Sequence, residues 1–196
     1  MASKGGPRAV GTDGTDFGHR QRVANSIKMS VQMKFYLKGL FSLHILVLMS
    51  MWAKVGSELA RREFGYKSSF FEKLDLPSAY PWYLSFWEYV WCLSFIPIIF
   101  GFLSFAHNKA RLLRIQYYSQ YIFGILPCCI GLGGQIPELI DYIFNMENSK
   151  TPTFKGAFPM VVLWYIFFLI AFQIHIFALY FSYHLLASWQ RDVKKD

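Results

Sequence analysis

Long stretches without charged side chains alternate with charged segments along this chain of 196 residues. An α-helix needs about 20 mostly apolar residues to cross the hydrocarbon layer of a membrane, because each residue advances it by about 1.5 Å. The first stretch, residues 39–53, is shorter, but the stems of Lys38 and Lys54 can extend their charges to the membrane surface. The pattern predicts an all-α integral membrane protein. Its four transmembrane helices are expected at residues 35–55, 89–108, 115–137 and 159–184.

The segments between these helices are expected to lie outside the membrane. They are an N-terminal arm at 1–34, a large loop at 56–88, a short loop at 109–114, another loop at 138–158 and a tail at 185–196. An even number of spans places both termini on one side, so Lys and Arg can be counted for each face. The face with the termini has thirteen, whereas the other has seven beside eight carboxylates. Both termini are therefore predicted to be cytosolic, and the loops at 56–88 and 138–158 lumenal.

The composition argues against two other classes of protein. Hydrophobic residues make up 54% of the chain and charged residues only 16%, which is too apolar for an ordinary soluble domain. A soluble four-helix bundle would also need a charged outer face, which the last three stretches do not offer. The net charge of +8 lies beside the membrane edges and not in a separate basic domain, so nucleic acid is not an expected partner. Attraction to anionic cytosolic lipid explains the charge better.

Residues 23–38 allow two interpretations. Ile27, Val31 and Phe35 recur at helical spacing, with polar residues between them. The segment is either an interfacial helix that lies on the membrane surface, within the N-terminal arm, or simply the beginning of the first transmembrane helix. The sequence leaves both interpretations open.

The sequence lacks the residue patterns of known catalytic and metal sites. The predicted helices hold no Asp, Glu, Lys or Arg at depth. The motifs GxSxG, HExxH and GxGxxG are absent, and Cys92, Cys128 and Cys129 have no histidine at metal-ligand spacing. Glu88 and Asp141 lie at the lumenal margins, where we expect solvated carboxylates. The sequence therefore predicts no enzyme activity, no cofactor and no metal site.

Three polar side chains within the predicted helices, His44, Gln173 and His175, are candidates for helix association. His175 shares a helix face with Ala171 and Ala178, small residues that let another helix come close. Gln173 lies on a face about 160° away, which is more than one neighbouring helix normally covers. Either both groups find partners within the monomer, or one face meets a second protein. Because His44 and His175 lie at similar depth, the first and fourth helices can meet there.

The third predicted helix is interrupted by Pro127, Gly131, Gly133 and Gly134. Proline and glycine can free backbone carbonyls in a membrane helix, and such carbonyls can line a polar path. A small channel or a lipid-handling protein is therefore an alternative function. A packed kink explains the same residues equally well.

Four stretches carry a likeness to a known family and together cover most of the chain. They are MASKGGPRAVGTDGTDFGHRQRVA at the N-terminus, MSVQMKFYLKGLFSLHILV at the first helix, WEYVWCLSFIPIIFGFLSFAHNK at the second and FQIHIFALYFSYHLLASW at the fourth. In order and spacing these stretches resemble the Jagunal family. The N-terminal stretch is specific, whereas residues 112–155 carry less of the likeness.

The resemblance implies a four-span protein of the endoplasmic reticulum (ER) membrane, required for ER organisation and for vesicle-mediated transport in the early secretory pathway. It implies no catalytic activity. Related tails resemble a dilysine signal for the COPI coat, which needs lysine third from the end and another fourth or fifth from it. Here RDVKKD places Lys194 third and Lys195 second from the end, so the tail departs from that signal. A basic flank beside the membrane is an equally good interpretation.

The leading hypothesis is therefore a non-enzymatic ER membrane protein of the secretory pathway. Lys194 and Lys195 are candidates for contact with coat or lipid, and GTDGTDF, residues 11–17, is a candidate cytosolic docking segment. The expected partners are membrane lipids, the COPI coat, secretory cargo or its receptors, and a second copy of the chain. A lipid-modifying enzyme is a third hypothesis, which would require His44 or His175 as a reactive group.

Overall fold

The computed structural model of the protein describes residues 15–64, 86–145, 149, 151–154 and 158–193. The first part of the candidate docking segment, residues 11–14, lies outside the described residues, as do Lys194, Lys195 and residues 65–85 of the large loop.

The described chain is almost entirely helical. In chain order its elements are α1 (Thr15–Phe64), α2 (Phe86–Cys92), α3 (Phe95–Phe105), α4 (Ala110–Gln120), a π-helical turn (Tyr121–Ile125), α5 (Leu126–Phe144), β1 (Thr153–Phe154), β2 (Phe158–Pro159) and α6 (Met160–Val193). The two strands pair antiparallel as a short hairpin that leads into α6.

Four helical segments of the described chain are long and apolar enough to cross a membrane. They are Val23–Ala60, Phe86–Phe105, Ala110–Phe144 and Met160–Trp189. The second comprises α2 and α3, and the third comprises α4, the π-helical turn and α5. The predicted all-α fold with four helices of this kind is confirmed, because apolar stretches free of charge are long enough to be recognised from the sequence alone.

The first helix is longer than the predicted span. It begins at Thr15 and runs without a break to Phe64, so residues 23–38 form its first part and not a separate interfacial helix. Polar residues of this part contact the end of α6: Ser30 accepts a hydrogen bond from Trp189 Nε1 at 2.9 Å. The long α1 is therefore packed against α6 over much of its length.

Two other helices extend past the predicted membrane spans. Residues 110–114, expected in a loop, form the start of α4, because Leu113 is fully buried there. The predicted tail continues α6 to Val193, with Leu185 fully buried. A stretch without charged residues shows where the chain is apolar. A helix continues past such a stretch where its next apolar side chains pack against another helix.

The turn between α3 and α4 brings α1 close to both helices. Asn108 has a φ of 51°, in the left-handed region that Asn tolerates better than most residues. Lys34 of α1 donates hydrogen bonds to the Phe105 carbonyl oxygen, at 3.4 Å, and to Asn108 Oδ1. This end of the bundle, formed by the beginning of α1, the turn at Asn108 and the end of α6, is called the basic end below.

The buried side chains form two apolar clusters at different levels of the bundle. One contains Leu48, Met51, Trp87, Trp91, Cys128, Met160, Trp164, Phe168 and Ala171. The other, nearer the basic end, contains Leu37, Phe41, Ile98, Phe105, Leu113, Ala178, Leu185 and Trp189. On α1 the clusters are separated at His44, and on α6 at His175. Polar side chains therefore occupy the level between them.

Large apolar side chains also cover the outside of the bundle. Leu46 is 68% exposed on α1, Ile122 is 55% exposed in the π-helical turn and Leu169 is 62% exposed on α6. Monomeric soluble proteins rarely expose large apolar patches. Such an exterior is typical of helices whose surroundings are apolar as well.

Candidate functional site: a buried polar layer

Five side chains form a hydrogen-bonded layer between the two apolar clusters. They are His44 from α1, Trp91 from α2, Ser94 from the turn between α2 and α3, Gln120 from α4 and His175 from α6. All five have no exposed surface. We call this set the buried polar layer. Its members come from every one of the four long helical segments, so it connects the whole bundle.

His175 is held at both ring nitrogens. Trp91 Nε1 donates a hydrogen bond to His175 Nε2 at 3.0 Å. The Gln120 carboxamide lies 2.7 Å from His175 Nδ1. An indole nitrogen can only donate, so Nε2 must be the accepting nitrogen and a neutral imidazole carries its proton on Nδ1. Nδ1–H then donates a hydrogen bond to the oxygen of the Gln120 carboxamide, which takes the place of the amide nitrogen after a half-turn of the group.

His44 joins the layer through a second pair of contacts. Its Nε2 lies 2.9 Å from Ser94 Oγ, and its ring centroid lies 4.9 Å from that of His175, with the ring planes at 89°. Ser94 sits where the chain turns between α2 and α3, and its N–H donates to the Trp91 carbonyl oxygen at 2.9 Å. The break in the second helical segment therefore places both Ser94 and Trp91 against the histidines.

A close backbone approach positions the Gln120 side of the layer. A Cβ atom added to Gly124 would lie 2.5 Å from His175 Nδ1, so only glycine allows the two helices to come this near. Gly124 belongs to the π-helical turn, which directly follows Gln120. A π-helical turn inserts one extra residue into a helix and often occurs at functional sites. Here the turn places Gly124 against His175, directly after Gln120.

A second polar pair lies toward the basic end. Ser182 Oγ donates to Gln116 Oε1 at 2.7 Å, and both side chains are fully buried. Gln116 and Gln120 lie one turn apart on α4, so the same face of α4 contacts α6 twice. Sequence reasoning missed this face. Its signal was the helical spacing of Gln116, Ser119 and Gln120, uncharged polar residues that a search for charges and histidines passes over.

The structure separates the candidates for helix association. It brings His44 and His175 together but leaves Gln173 on the exposed side of α6, with Phe177 and Tyr180. Within the described part of the chain, the Gln173 side chain has no hydrogen-bond partner. Its amide is therefore available to a group outside this chain.

Glu88 does not behave as the sequence suggested. Its side chain is only 4% exposed and lies 2.5 Å from Lys54 Nζ, whereas a solvated carboxylate was expected at this margin. Lys54 also lies 3.8 Å from Glu58 and over the ring of Trp164, at 4.7 Å from its centroid. A buried carboxylate is tolerated only when it is paired. Lys54, on the neighbouring helix, supplies that pairing.

The chemistry of the buried polar layer is that of neutral donors and acceptors. Within the described residues, no group of three or more His, Cys, Asp or Glu side chains is placed to hold a metal ion. Each side-chain hydrogen bond of the layer joins two different helical segments, while the buried Nδ1 of His44 and one polar atom of the Gln120 carboxamide have no hydrogen-bond partner among the described residues. The layer therefore fixes how the helices are rotated and shifted against one another.

Four helices of membrane-spanning length, joined by interhelical hydrogen bonds in an apolar surrounding, are typical of small multi-pass membrane proteins. A family model described as "Jagunal, ER re-organisation during oogenesis" matches residues 1–193. The chain belongs to the Jagunal family, which confirms the resemblance noted in the sequence.

Relatives from distant animals match nearly the whole chain. The chain is 57% identical over 196 residues to "Protein jagunal homolog" of Caenorhabditis elegans, with all of both chains covered. It is 33% identical over 189 residues to "Protein jagunal homolog 1" of Homo sapiens, covering 96% of this chain and 94% of the relative. It is 32% identical over 194 residues to "Protein jagunal" of Drosophila melanogaster, covering 97% and 95%.

Proposed function

We propose that this protein is a non-enzymatic, multi-pass protein of the ER membrane that maintains ER organisation and supports vesicle-mediated transport in the early secretory pathway. The observation that carries the proposal is the match to the Jagunal family over residues 1–193, since that family is described by ER re-organisation.

The placement in a membrane is supported by the apolar exterior and by the lengths of the four helical segments. The proposed orientation, with both termini in the cytosol, is supported by the charges of the basic end. Lys38, Lys109, Arg111 and Arg114 are exposed there. Residues 20–43 and 106–114, which contribute to this end, include no carboxylate, while Asp16 and Asp192 lie near the outer ends of α1 and α6. Such a surface is attracted to the anionic lipid headgroups of a cytosolic leaflet.

A non-catalytic role is supported by the state of the buried polar layer. Both ring nitrogens of His175 are engaged by Trp91 and Gln120, and Nε2 of His44 is engaged by Ser94. His175, which is held at both nitrogens, contributes to helix packing and is a poor candidate for the reactive group of a lipid-modifying enzyme. The Nδ1 of His44 has no hydrogen-bond partner among the described residues, but it is buried and offers almost no surface to a substrate. Gln116 and Gln120, two of the buried polar side chains of the third segment, likewise point into the bundle and contact α6.

Each proposed partner is assigned to one of two regions, the basic end or the exposed face of α6. The basic end is the proposed contact with membrane lipid, and Lys194 and Lys195, which follow α6 in the sequence, are the proposed contact with the COPI coat or with lipid. Secretory cargo or its receptors, and a second copy of this chain, are the proposed partners within the membrane. Gln173, whose amide is exposed on α6, is the residue we propose for such a contact.

The proposal is tested in cells that lack their own copy of the gene and receive this chain with a tag at each end. We expect the protein to co-localise with ER markers, to restore ER organisation and to restore the exit of a synchronised secretory cargo. In sealed microsomes, protease should remove both tags without detergent.

The lysines of the tail are tested in the same cells. The variant with Lys194→Ala and Lys195→Ala should recover less COPI coat by crosslinking, and the matched control with Lys150→Ala and Lys155→Ala should not. Tags with opposite protease sensitivity would contradict the orientation. Normal ER and normal cargo exit in cells without the protein would contradict the function.

A further inference from the structure

A stripe of side chains runs along the outer surface of α6 and includes three polar groups. Gln173 and Tyr180 are exposed, and His184 is half-buried. Residues three or four apart lie on one side of a helix, because each residue turns it by about 100°. The stripe extends about 27 Å by helical rise, close to the thickness of the hydrocarbon layer. We call it the α6 stripe, and it consists of Ile166, Leu169, Gln173, Phe177, Tyr180 and His184.

The polar groups of the α6 stripe have no hydrogen-bond partner among the described residues. This holds for the Gln173 amide, the Tyr180 hydroxyl and the His184 ring, which contacts the Tyr180 ring at 4.4 Å between centroids. Gln173 lies near the middle of the fourth membrane-length segment, by helical rise about 20 Å from Met160 and about 24 Å from Trp189. An amide at this depth faces lipid chains, which offer it neither a donor nor an acceptor. Its partner must therefore come from another molecule that brings a polar group to the middle of the membrane.

The chemistry of the α6 stripe makes it complementary to itself. A carboxamide, a tyrosine hydroxyl and a neutral imidazole each offer both a donor and an acceptor, so each can pair with its own kind. The stripe contains no Asp, Glu, Lys or Arg, so two such surfaces meet without repulsion between formal charges. A second copy of the chain therefore matches every polar group of this surface.

The membrane also fixes how two copies meet. All copies have the same orientation in the bilayer, so a twofold axis that relates two of them runs along the membrane normal. The two α6 helices are then parallel, and each residue lies at the same depth as its equivalent in the other copy. Gln173 therefore meets the same residue of the second copy. Each carboxamide donates to the other and accepts from it, which satisfies both in the hydrocarbon layer.

We propose that the α6 stripe is the interface of a parallel dimer of this chain, with the two Gln173 side chains paired at its centre. The apolar side chains of Ile166, Leu169 and Phe177 pack around this pair. Tyr180 and His184 provide further hydrogen bonds toward the basic end. This inference rests on the membrane placement proposed above, and it selects a second copy from the partners proposed there.

The test forms disulfides between single introduced cysteines in the full-length protein, reconstituted at low density in phosphatidylcholine vesicles. The background is Cys129→Ser, since Cys129 is the exposed one of the three free cysteines. Leu169→Cys places a thiol on the α6 stripe. Met49→Cys on α1 and Leu126→Cys on α5 are the controls, since these residues are 56% and 53% exposed, beside 62% for Leu169. All three positions lie five or six residues along their helices from the buried polar layer.

After oxidation with copper phenanthroline, Leu169→Cys should give at least about fivefold more disulfide dimer than either control, because a disulfide needs its two Cα atoms within about 7 Å. Adding Gln173→Leu should lower the yield of this dimer about threefold or more, as expected for the loss of an interhelical hydrogen bond. Adding Gln173→Asn instead, which keeps a carboxamide, should retain most of the dimer.

Three results would overturn the proposal. Equal crosslinking at Leu169→Cys and at the controls would show random collision, and more dimer at a control would place the interface on another helix. A dimer at Leu169→Cys that is unaffected by Gln173→Leu would remove the carboxamide pair. Absence of any dimer would leave the α6 stripe to a different protein. Extraction of the protein from the vesicles by alkaline carbonate would instead refute the membrane placement itself.

Discussion

The imidazole rings of His44 and His175 meet edge to face, with their centroids 4.9 Å apart. The two residues lie on α1 and α6, which pack along each other through the bundle. Their contact is at the level where one apolar cluster ends and the other begins. At this level the helices are aligned by hydrogen bonds and ring contacts, which require specific partners, and not by apolar packing alone.

Replacing His175 with leucine should destabilise the bundle by about 1–2 kcal/mol. The change removes the acceptor for Trp91 and the partner for Gln120, and leaves two buried polar groups unmatched. The measurement is reversible unfolding of the detergent-solubilised protein, followed by tryptophan fluorescence. Loss of the Trp91 hydrogen bond should also shift the tryptophan emission of the folded state.

The control for this variant is His184→Leu on the same helix. His184 is partly buried and contacts the ring of Tyr180 at 4.4 Å. Within the described residues it makes no hydrogen bond, so its replacement should change the free energy of unfolding by less than about 0.5 kcal/mol. Equal effects of the two replacements would show that the buried polar layer contributes nothing specific.

The tautomer of His175 is a second prediction. Because Trp91 donates to Nε2, the proton of the neutral ring should reside on Nδ1. In ¹⁵N NMR spectra of the selectively labelled protein, Nε2 should resonate as an unprotonated nitrogen and Nδ1 as a protonated one. Trp91→Phe should increase the population with the proton on Nε2. Protonation of Nε2 in the unaltered protein would contradict the assigned hydrogen bonds.

The helices could be predicted from the sequence because their signal is local. Three charge-poor stretches are each long enough to span a membrane, and the first becomes long enough once the stems of Lys38 and Lys54 are included, so no knowledge of packing is needed to find them. Their ends could not be predicted in the same way. Leu113 extends α4 and Leu185 extends α6 because each is fully buried against other helices, and burial depends on the fold as a whole.

The buried polar layer was predictable only in part. The depth of His44 and His175 follows from counting along their helices, so the sequence predicted that a contact between the two is possible. The roles of Trp91 and Ser94 were not visible, because the break between α2 and α3 turns them toward the histidines. Glu88 was misjudged for a similar reason: its burial depends on Lys54 from another helix.

The third prediction compares the replacement of Gly124 with that of a second glycine, Gly133. Gly124→Ala should destabilise the protein by about 1–3 kcal/mol, because the new Cβ would lie 2.5 Å from His175 Nδ1 and force the helices apart. Gly133→Ala should have no such cost, since nothing lies within 4 Å of its added Cβ. It should instead stabilise α5 by up to about 1 kcal/mol. Thermal unfolding monitored by circular dichroism distinguishes the two, and a similar loss in both would contradict the close approach.

The Lys54–Glu88 pair gives a fourth prediction. Lys54→Met leaves the Glu88 carboxylate buried without its partner, and should lower the free energy of unfolding by about 3–5 kcal/mol. Adding Glu88→Gln removes the buried charge and should restore most of that loss. Chemical unfolding of the single and double variants measures the coupling between the two sites.

An exposed lysine serves as the control for this pair. Lys38→Met, at the basic end, should alter the free energy of unfolding by less than about 0.5 kcal/mol. A double variant no more stable than Lys54→Met would show that the loss came from the Lys54 ammonium group over the Trp164 ring and not from the unpaired carboxylate.

The exposed amide of Gln173 leads to the last prediction. On a lipid-facing helix surface, a carboxamide gains from pairing with a polar group of another helix, by about 1 kcal/mol. Gln173→Leu should therefore weaken self-association of the protein in membranes, measured by energy transfer between labelled copies, and leave its unfolding unchanged. Ile176→Leu, an exposed position on the same helix, is the control. Unchanged energy transfer in Gln173→Leu would exclude a second copy as the partner of this face, whereas a loss of folding stability would place the amide's partner within the monomer.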